Sequence, residues 1–318
     1  METLRLSNVG SESWTPVTFQ KSFSHPVAVC TVDYGVGNAM KPAVVRMTDV
    51  TSDSLAVRLQ NPSGEVLDPC DVHCVVVEQG LWTLPNGRSI EAQSYLSTKT
   101  NGKGNWNGER QTYISPTKYR NPVVVGQVMS YNDERWSTFF STGYRNRHMA
   151  SRNIIKTGKH VGEDVKERAD ETVGFIVMDA VHGNMQSDMM EFEATSGRRR
   201  VRGYVSVHSL QHAWTQTTLS SHTHTFYYFF EPQTMIMRWP YRFSRPFRIA
   251  PQVIVLSQAA MGSVEGSWAV LAGLRPNRQK FGLAMDEDQV GDSERWHHIY
   301  EPVDYMAFSE VGVIDLYS

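Results

Sequence analysis

The chain carries one order of strand-forming features three times, and this repetition limits the fold more than any other property of the sequence. Each copy opens with spaced aromatic residues, continues with a proline before a valine-rich segment, and closes with a run of Val, Ile and aromatic residues. The proline-led segments begin at Pro26, Pro122 and Pro251. Proline lacks the N–H that a central ladder position requires, so this placement is typical of a strand entrance. We therefore predict three divergent copies of one all-β unit.

Local patterns support strands along the whole chain. Leu55–Leu59 and Pro122–Met129 alternate with period two, and clusters such as Asn61–Gly64 are typical of turns. Sustained helical periodicity is almost absent. The expected fold class is all-β, with three tandem antiparallel β-sandwich units, which suits 318 residues at about 100 residues per domain. The expected units are residues 1–80, 81–204 and 205–318.

The charge and apolar patterns exclude some classes of protein. The chain has 31 basic and 33 acidic residues, so it lacks the overall positive field of a nucleic-acid-binding protein. No stretch approaches the roughly 18 apolar residues of a membrane span. Residues Met1–Ser7 lack a basic region followed by an apolar core, so no secretory signal is predicted. The compartment stays open, although a lectin would act outside the cell or at its surface.

The chain has three cysteines, which is an odd number and too few for a disulfide framework. Cys70 and Cys74 fall on one predicted strand, where a rise of about 3.3 Å per residue separates them by about 13 Å. His73 points to the opposite face, which argues against a shared metal ion. We expect Cys30, Cys70 and Cys74 to be buried and inert thiols.

The spacing of Phe19, Phe23 and Pro26, together with the hydrophobic closing strand, resembles H-type lectins, the family of snail agglutinin and of the discoidin C-terminal domain. The resemblance implies six-stranded antiparallel sandwiches that associate in threes and bind galactose-type sugars. Three linked copies would then form an intramolecular pseudo-trimer. Segments such as Gly126–Asp133 and Gly158–Asp164 are also similar to repeat proteins of uncharacterised role. The loops do not align by motif with the sugar contacts of the lectins.

Acidic residues and an arginine follow a strand in both the second and the third copies. Carboxylates accept hydrogen bonds from sugar hydroxyls, arginine donates them, and an aromatic ring stacks on apolar C–H faces. The first copy has Asn61–Glu65 at this point without the arginine, and we interpret it as a packing partner. The candidate glycan-binding residues are His160, Glu163, Asp164, Arg168, Asp286, Asp288, Asp292, Glu294, Arg295 and Trp296.

Other interpretations of these acids remain open. The run from Asp286 to Glu294 lacks the spacing and flanking helices of an EF-hand, although calcium is an alternative ligand. A pair of carboxylates could also belong to a glycan hydrolase or lyase. No nucleophile elbow, zinc-binding motif, P-loop or dinucleotide fingerprint occurs in the sequence. We therefore expect a protein that is not an enzyme, with no required cofactor.

Two functions compete. The first is a lectin that binds glycans or glycoproteins, for instance in adhesion, with avidity from several sites. The second is a structural or assembly module of a matrix, surface or particle, without a small ligand. Divergence among the copies counts against three equal sugar sites.

Overall fold

The computed structural model describes residues 1–36, 41–117, 119–142, 154–185, 190–196, 240–291, 295 and 300–317. Within these residues the chain forms 22 strands and no helix. The first eleven strands are β1 Glu2–Val9, β2 Thr15–Thr18, β3 Pro26–Asp33, β4 Val44–Thr48, β5 Ser54–Gln60, β6 Cys70–Glu78, β7 Gly80–Thr83, β8 Ser89–Ser97, β9 Thr100–Asn101, β10 Glu109–Thr112 and β11 Pro122–Val128. The others are β12 Thr138–Thr142, β13 Ile154–His160, β14 Glu171–Asp179, β15 Val181–Asn184, β16 Glu191–Ser196, β17 Pro240–Arg242, β18 Val253–Gln258, β19 Ser267–Leu271, β20 Lys280–Glu287, β21 Val303–Phe308 and β22 Gly312–Val313.

The predicted all-β class is confirmed: the strands form antiparallel sheets that pack as β-sandwiches. No helix in the described part of the chain is long and apolar enough to cross a membrane. The alternation predicted for Leu55–Leu59 lies in β5, whose residues alternate between buried and partly exposed. This pattern arises because successive side chains of a strand point to opposite faces.

One pairing order of six strands occurs three times. We name β1–β6 set one, β8 with β10–β14 set two, and β16–β21 set three. In each set one sheet has the order third, sixth, first strand, and the facing sheet has the order second, fifth, fourth strand. The strands β15 and β16 precede residue 204 but pair within the third of these arrangements. The unit boundaries at 80 and 204 stay a prediction.

The three sets form a closed circle through short added strands. The strand β7 follows set one and pairs with β8 of set two, and β15 follows set two and pairs with β16 of set three. The strand β22 follows set three and returns to β1 of set one, pairing Glu2 with Val313. Each set therefore lends a strand to the next, which covers the exposed edge of the first strand.

At the centre, N–H groups of the third strands β3, β11 and β18 face a neighbouring set. The strands β11 and β18 are sheet edges, whereas β3 also pairs in parallel with β19 of set three, through Asp33 and Leu271. Side chains from corresponding positions of that neighbour accept these N–H groups in cyclic order. The bonds run from Cys30 N–H to Gln127 Oε1 at 3.3 Å, from Gly126 N–H to Ser257 Oγ at 2.9 Å, and from Leu256 N–H to Thr31 Oγ1 at 2.8 Å. Buried backbone donors need such partners, so these bonds hold the sets together.

A second ring of bonds uses three different acceptors. Val124 N–H donates to Asp304 Oδ2 at 2.7 Å, and Ile254 N–H donates to His73 Nδ1 at 3.1 Å. Ala28 N–H approaches the sulfur of Met129 at 3.3 Å. Gly174 stands where the other sets have His73 and Asp304, and a Cβ there would lie 2.5 Å from this sulfur. The glycine therefore makes room for the methionine that replaces the missing acceptor.

The cysteine prediction was partly wrong. Cys30 and Cys74 are directly opposite on β3 and β6, with their Cα atoms 4.2 Å apart, and form a disulfide. The prediction failed because it compared residues within one strand, whereas the bond crosses between paired strands. Cys70 is the free cysteine of the described residues, and burial raises the pKa of its thiol to about 12. This residue is the inert thiol that the sequence predicted.

Candidate functional site

Neighbouring sets meet at joints between the end of a fifth strand and the loop after a third strand. We name each joint by its two sets, giving first the set that supplies the fifth strand and then the set that supplies the loop: joint 1–2, joint 2–3 and joint 3–1. In sets two and three a buried glutamate holds that loop in place: Glu171 is the first residue of the sixth strand β14, and Glu301 lies two residues before the sixth strand β21. Glu171 accepts the N–H of Asn132 at 3.0 Å, and Glu301 accepts the N–H of Gly262 at 2.8 Å. Charge-assisted bonds of this kind fix the loop backbone against which the neighbouring set packs.

His160 ends β13 at joint 2–3 and is completely buried. Its ring makes edge contacts with Trp106 and Phe140, with both centroids 5.7 Å away. Trp106 in turn donates its indole N–H to the carbonyl of Ser263 in set three at 2.8 Å. Burial lowers the pKa of His160 to about 3, so its ring is neutral at physiological pH. This histidine packs an interface and does not face solvent.

Asp288 and Glu163, predicted in separate copies, meet at the same joint. Asp288 accepts the N–H of Glu163 at 3.1 Å through Oδ2 and the N–H of Val290 at 2.9 Å through Oδ1. Burial raises the pKa of the Asp288 carboxyl, while these backbone bonds oppose that rise. Gly162 adopts a φ of +57°, and a Cβ there would lie 1.8 Å from Oδ2 of Asp288. The close approach therefore requires glycine.

Arg168 and Asp164 form a pair behind the same loop. Their closest atoms are 2.9 Å apart, and the arginine side chain is fully buried. Its remaining N–H groups donate to the carbonyl of Trp136 at 3.0 Å and to that of Lys166 at 2.6 Å. Burial alone would raise the pKa of Asp164, but the hydrogen bonds from Arg168 and Lys166 outweigh it and lower that pKa. The guanidinium therefore ties the loop together.

Asp286 lies at joint 3–1 and is also completely buried. Arg295 donates to both of its oxygens, at 2.7 and 2.9 Å. The hydroxyl of Tyr34 from set one donates to Oδ2, and accepts the N–H of Ala43 at 2.8 Å. Burial and the neighbouring Asp286 charge raise the pKa of Tyr34 well above its usual value. Asp286 thus joins its own arginine to a loop of the next set.

The structure brings the predicted residues together at joints rather than around an open pocket. Seven of the ten lie in the described residues, and each has polar or ring contacts within its joint or loop. The described members are His160, Glu163, Asp164, Arg168, Asp286, Asp288 and Arg295. Asp292, Glu294 and Trp296 lie outside the described residues.

An open cluster that we did not predict lies at joint 1–2. The guanidinium of Arg58 lies 4.7 Å from the ring centroid of Trp14 and 4.8 Å from that of Tyr131 of set two, and the two rings contact each other edge to face at 5.1 Å. Arg46 lies 4.6 Å from the same Tyr131 ring. Cation–π contacts of this kind are favourable and orient the guanidinium. The cluster therefore combines an arginine with aromatic rings, which is the composition predicted for a sugar site. Its arginine belongs to set one, whereas the prediction placed the site in the second and third copies.

Beside Arg58 is a recess of about 190 Å³. It is lined by Ser11, Glu12, Arg58, Leu59, Gln60, Asn61, Gly64, Glu65 and Val66. Glu12 and Glu65 are exposed, and Glu65 pairs with Lys41. The sequence does indicate that Arg58 is accessible, because it occupies a polar position in the alternating strand before the turn. We looked for the arginine after that turn, and so interpreted set one as a packing partner.

Among the described residues, no three His, Cys, Asp or Glu side chains lie close enough together to hold a metal ion. The acidic run considered for calcium includes Asp292 and Glu294, which are outside those residues. The described fold and its joints define an all-β protein of packed antiparallel sheets. Comparison of the chain with protein-family models, curated proteins and solved structures finds no match.

Proposed function

We propose that the protein is a non-catalytic carbohydrate-binding protein and that the recess beside Arg58 is its ligand site. The observation that carries this proposal is the recess itself, which combines a guanidinium with two exposed carboxylates; the rings of Trp14 and Tyr131 pack against that guanidinium and do not line the recess. Sugars need both acceptors and donors for their hydroxyls, together with an apolar surface for their C–H faces. Glu12 and Glu65 supply acceptors and Arg58 supplies donors. Val66, which is 63% exposed, supplies apolar surface.

The frame around the recess favours binding. Arg58 is held by Trp14 and Tyr131, and Asn61 fixes the adjoining turn by accepting the N–H of Ser63 at 2.8 Å. Groups that are ordered before binding lose less conformational entropy when a ligand arrives. A shallow and preorganised polar recess is suited to recognising one terminal sugar of a glycan.

A glycan array tests the proposal, with the wild type probed in the presence and absence of a calcium chelator. Glu65→Gln removes a charged acceptor from the recess. The loss of about 1.5–3 kcal/mol per charged hydrogen bond weakens a glycan Kd by about 10- to 100-fold. Glu163→Gln is the matched control in the corresponding loop of set two, and is expected to retain binding. Loss of binding in Glu163→Gln but not in Glu65→Gln would contradict the assignment.

The second candidate is an assembly module without a small ligand. One observation favours it: Asp286, Asp288, His160 and Arg168 are buried in joints or loops instead of facing solvent. A silent array across galactose, N-acetylgalactosamine and uronic-acid glycans would support this function over the first. Concentration-dependent association of the full chain in sedimentation velocity would add direct evidence for it.

A further inference from the structure

A small cavity lies where the third strands of the three sets converge. Its volume is about 40 Å³, and its border includes the corresponding positions Thr31, Gln127 and Ser257. The other lining groups are apolar or neutral, and no charged side chain is among those that border it. The cavity therefore suits a small neutral polar ligand.

Most polar groups at this border already have partners. The hydroxyl of Ser257 accepts one N–H of Gly126 and lies 3.4 Å from the carbonyl of the same residue. Thr31 makes the corresponding pair of contacts with Leu256. Each hydroxyl thus satisfies both backbone groups of a neighbouring sheet edge, and their geometry demands no further ligand.

Gln258 differs from them. This residue borders the cavity and is only 1% exposed. Its Oε1 accepts a hydrogen bond from Ser267 at 3.1 Å, whereas its Nε2 has no partner. Exchanging the amide oxygen and nitrogen would leave the oxygen without a partner instead, so either orientation leaves one unsatisfied atom on a residue that borders the cavity.

We propose that this cavity is a built site for ordered water, held by the carboxamide of Gln258. A buried amide without a partner is strongly unfavourable, and water is the ligand that can both donate and accept. Each water needs about 10–15 Å³ of this kind of space, so at most about three fit. The water completes the hydrogen bonding at the point where all three sets meet.

The test counts long-lived internal waters in the full chain by oxygen-17 magnetic relaxation dispersion. Gln258→Leu replaces the amide with an apolar group, and is expected to lose between one and three such waters. Gln20→Leu, at an exposed position, is the matched control and is expected to lose none. An unchanged count in Gln258→Leu would overturn the proposal.

A second measurement does not depend on any variant. In a crystal structure of the wild type, water density is expected within about 3.2 Å of the Gln258 amide. An empty cavity there would overturn the proposal. An anomalous peak in the cavity after a bromide soak would overturn it too, because the ligand would then be an anion.

Discussion

Gly162→Ala tests whether the contact at joint 2–3 stabilises the fold. Gly162 has a φ of +57°, and an added Cβ would lie 1.8 Å from Oδ2 of Asp288. A left-handed non-glycine residue costs about 1–2 kcal/mol. The carboxylate must also move, which weakens charge-assisted bonds of about 1.5–3 kcal/mol each. We expect a total destabilisation of about 3–5 kcal/mol, from the left-handed backbone and one such bond.

The matched control is Gly64→Ala in the corresponding loop of set one. Gly64 has a φ of +79° and no atom within 4 Å of an added Cβ, so only the backbone term of about 1–2 kcal/mol applies. Guanidinium denaturation followed by tryptophan fluorescence measures both variants. At about 2 °C per kcal/mol, Gly162→Ala lowers Tm by about 6–10 °C.

A double variant isolates the Asp288 contact. In an Asp288→Ala background, Gly162→Ala should cost less than it does in the wild type, because the clashing carboxylate is gone, although a ring atom of Trp136 still lies 3.0 Å from the added Cβ. Equal destabilisation by Gly162→Ala and Gly64→Ala in the wild type would refute the reasoning, since the joint would then add nothing to the backbone strain.

Three further predictions address the centre of the molecule. Thiol titration in denaturant is expected to detect one cysteine, Cys70, before reduction and three afterwards; three before reduction would contradict the disulfide. Burial lowers the pKa of His73 from 6.5 to about 4. As the pH drops from 6.5 to 4, the unfolded chain therefore binds a proton at this residue before the folded chain does. The free energy of unfolding should fall over that range by on the order of 3 kcal/mol. His73→Gln should reduce this slope in pH-dependent denaturation, while His160, whose pKa burial lowers to about 3, maintains the rest; an unchanged slope would contradict the role of His73. Ser257→Ala leaves the N–H of Gly126 without its acceptor and is expected to cost about 1–3 kcal/mol, whereas Ser257→Thr should cost less; equal losses in thermal unfolding would contradict the cap.

The strands could be predicted because their information is local. Pro26 and Pro122 begin the third strands β3 and β11 as expected, and the Leu55–Leu59 alternation forms β5. Strand entrances and period-two patterns depend on residues close in sequence, so a single chain shows them. The pairing of Cys30 with Cys74 depends on the register between two strands, which no local pattern contains.

The candidate site was harder to predict because its chemistry depends on what lies opposite each residue. Asp288 has the composition of a ligand-binding acid, but the N–H groups of Glu163 and Val290 occupy it. An unpaired buried carboxylate and a structural one look identical in sequence. Arg58 was overlooked for the same reason, since its ring partner Tyr131 lies 73 residues away in the chain.

The three joints between the sets use different chemistry. Joint 1–2 has a cation–π stack, joint 2–3 has a neutral imidazole packed between aromatic rings, and joint 3–1 has a carboxylate held by an arginine and a phenol. Non-identical contacts let each loop fit one neighbour and oppose the others. The sequence differences between the sets therefore match the differences between their joints.

A pair of Tyr→Phe variants tests this distinction between joints. Tyr34→Phe leaves the N–H of Ala43 without an acceptor and removes a donor from buried Asp286, so we expect a loss of about 2–4 kcal/mol. Tyr131→Phe keeps the ring that faces Arg58 and removes a part-buried hydroxyl that accepts one hydrogen bond from that arginine, so its loss should be the smaller one, about 1.5 kcal/mol. Chemical denaturation measures the free energy of unfolding of both variants. Equal losses would contradict this distinction. The hydroxyl of Tyr34 would then contribute no more to joint 3–1 than the hydroxyl of Tyr131 contributes to joint 1–2.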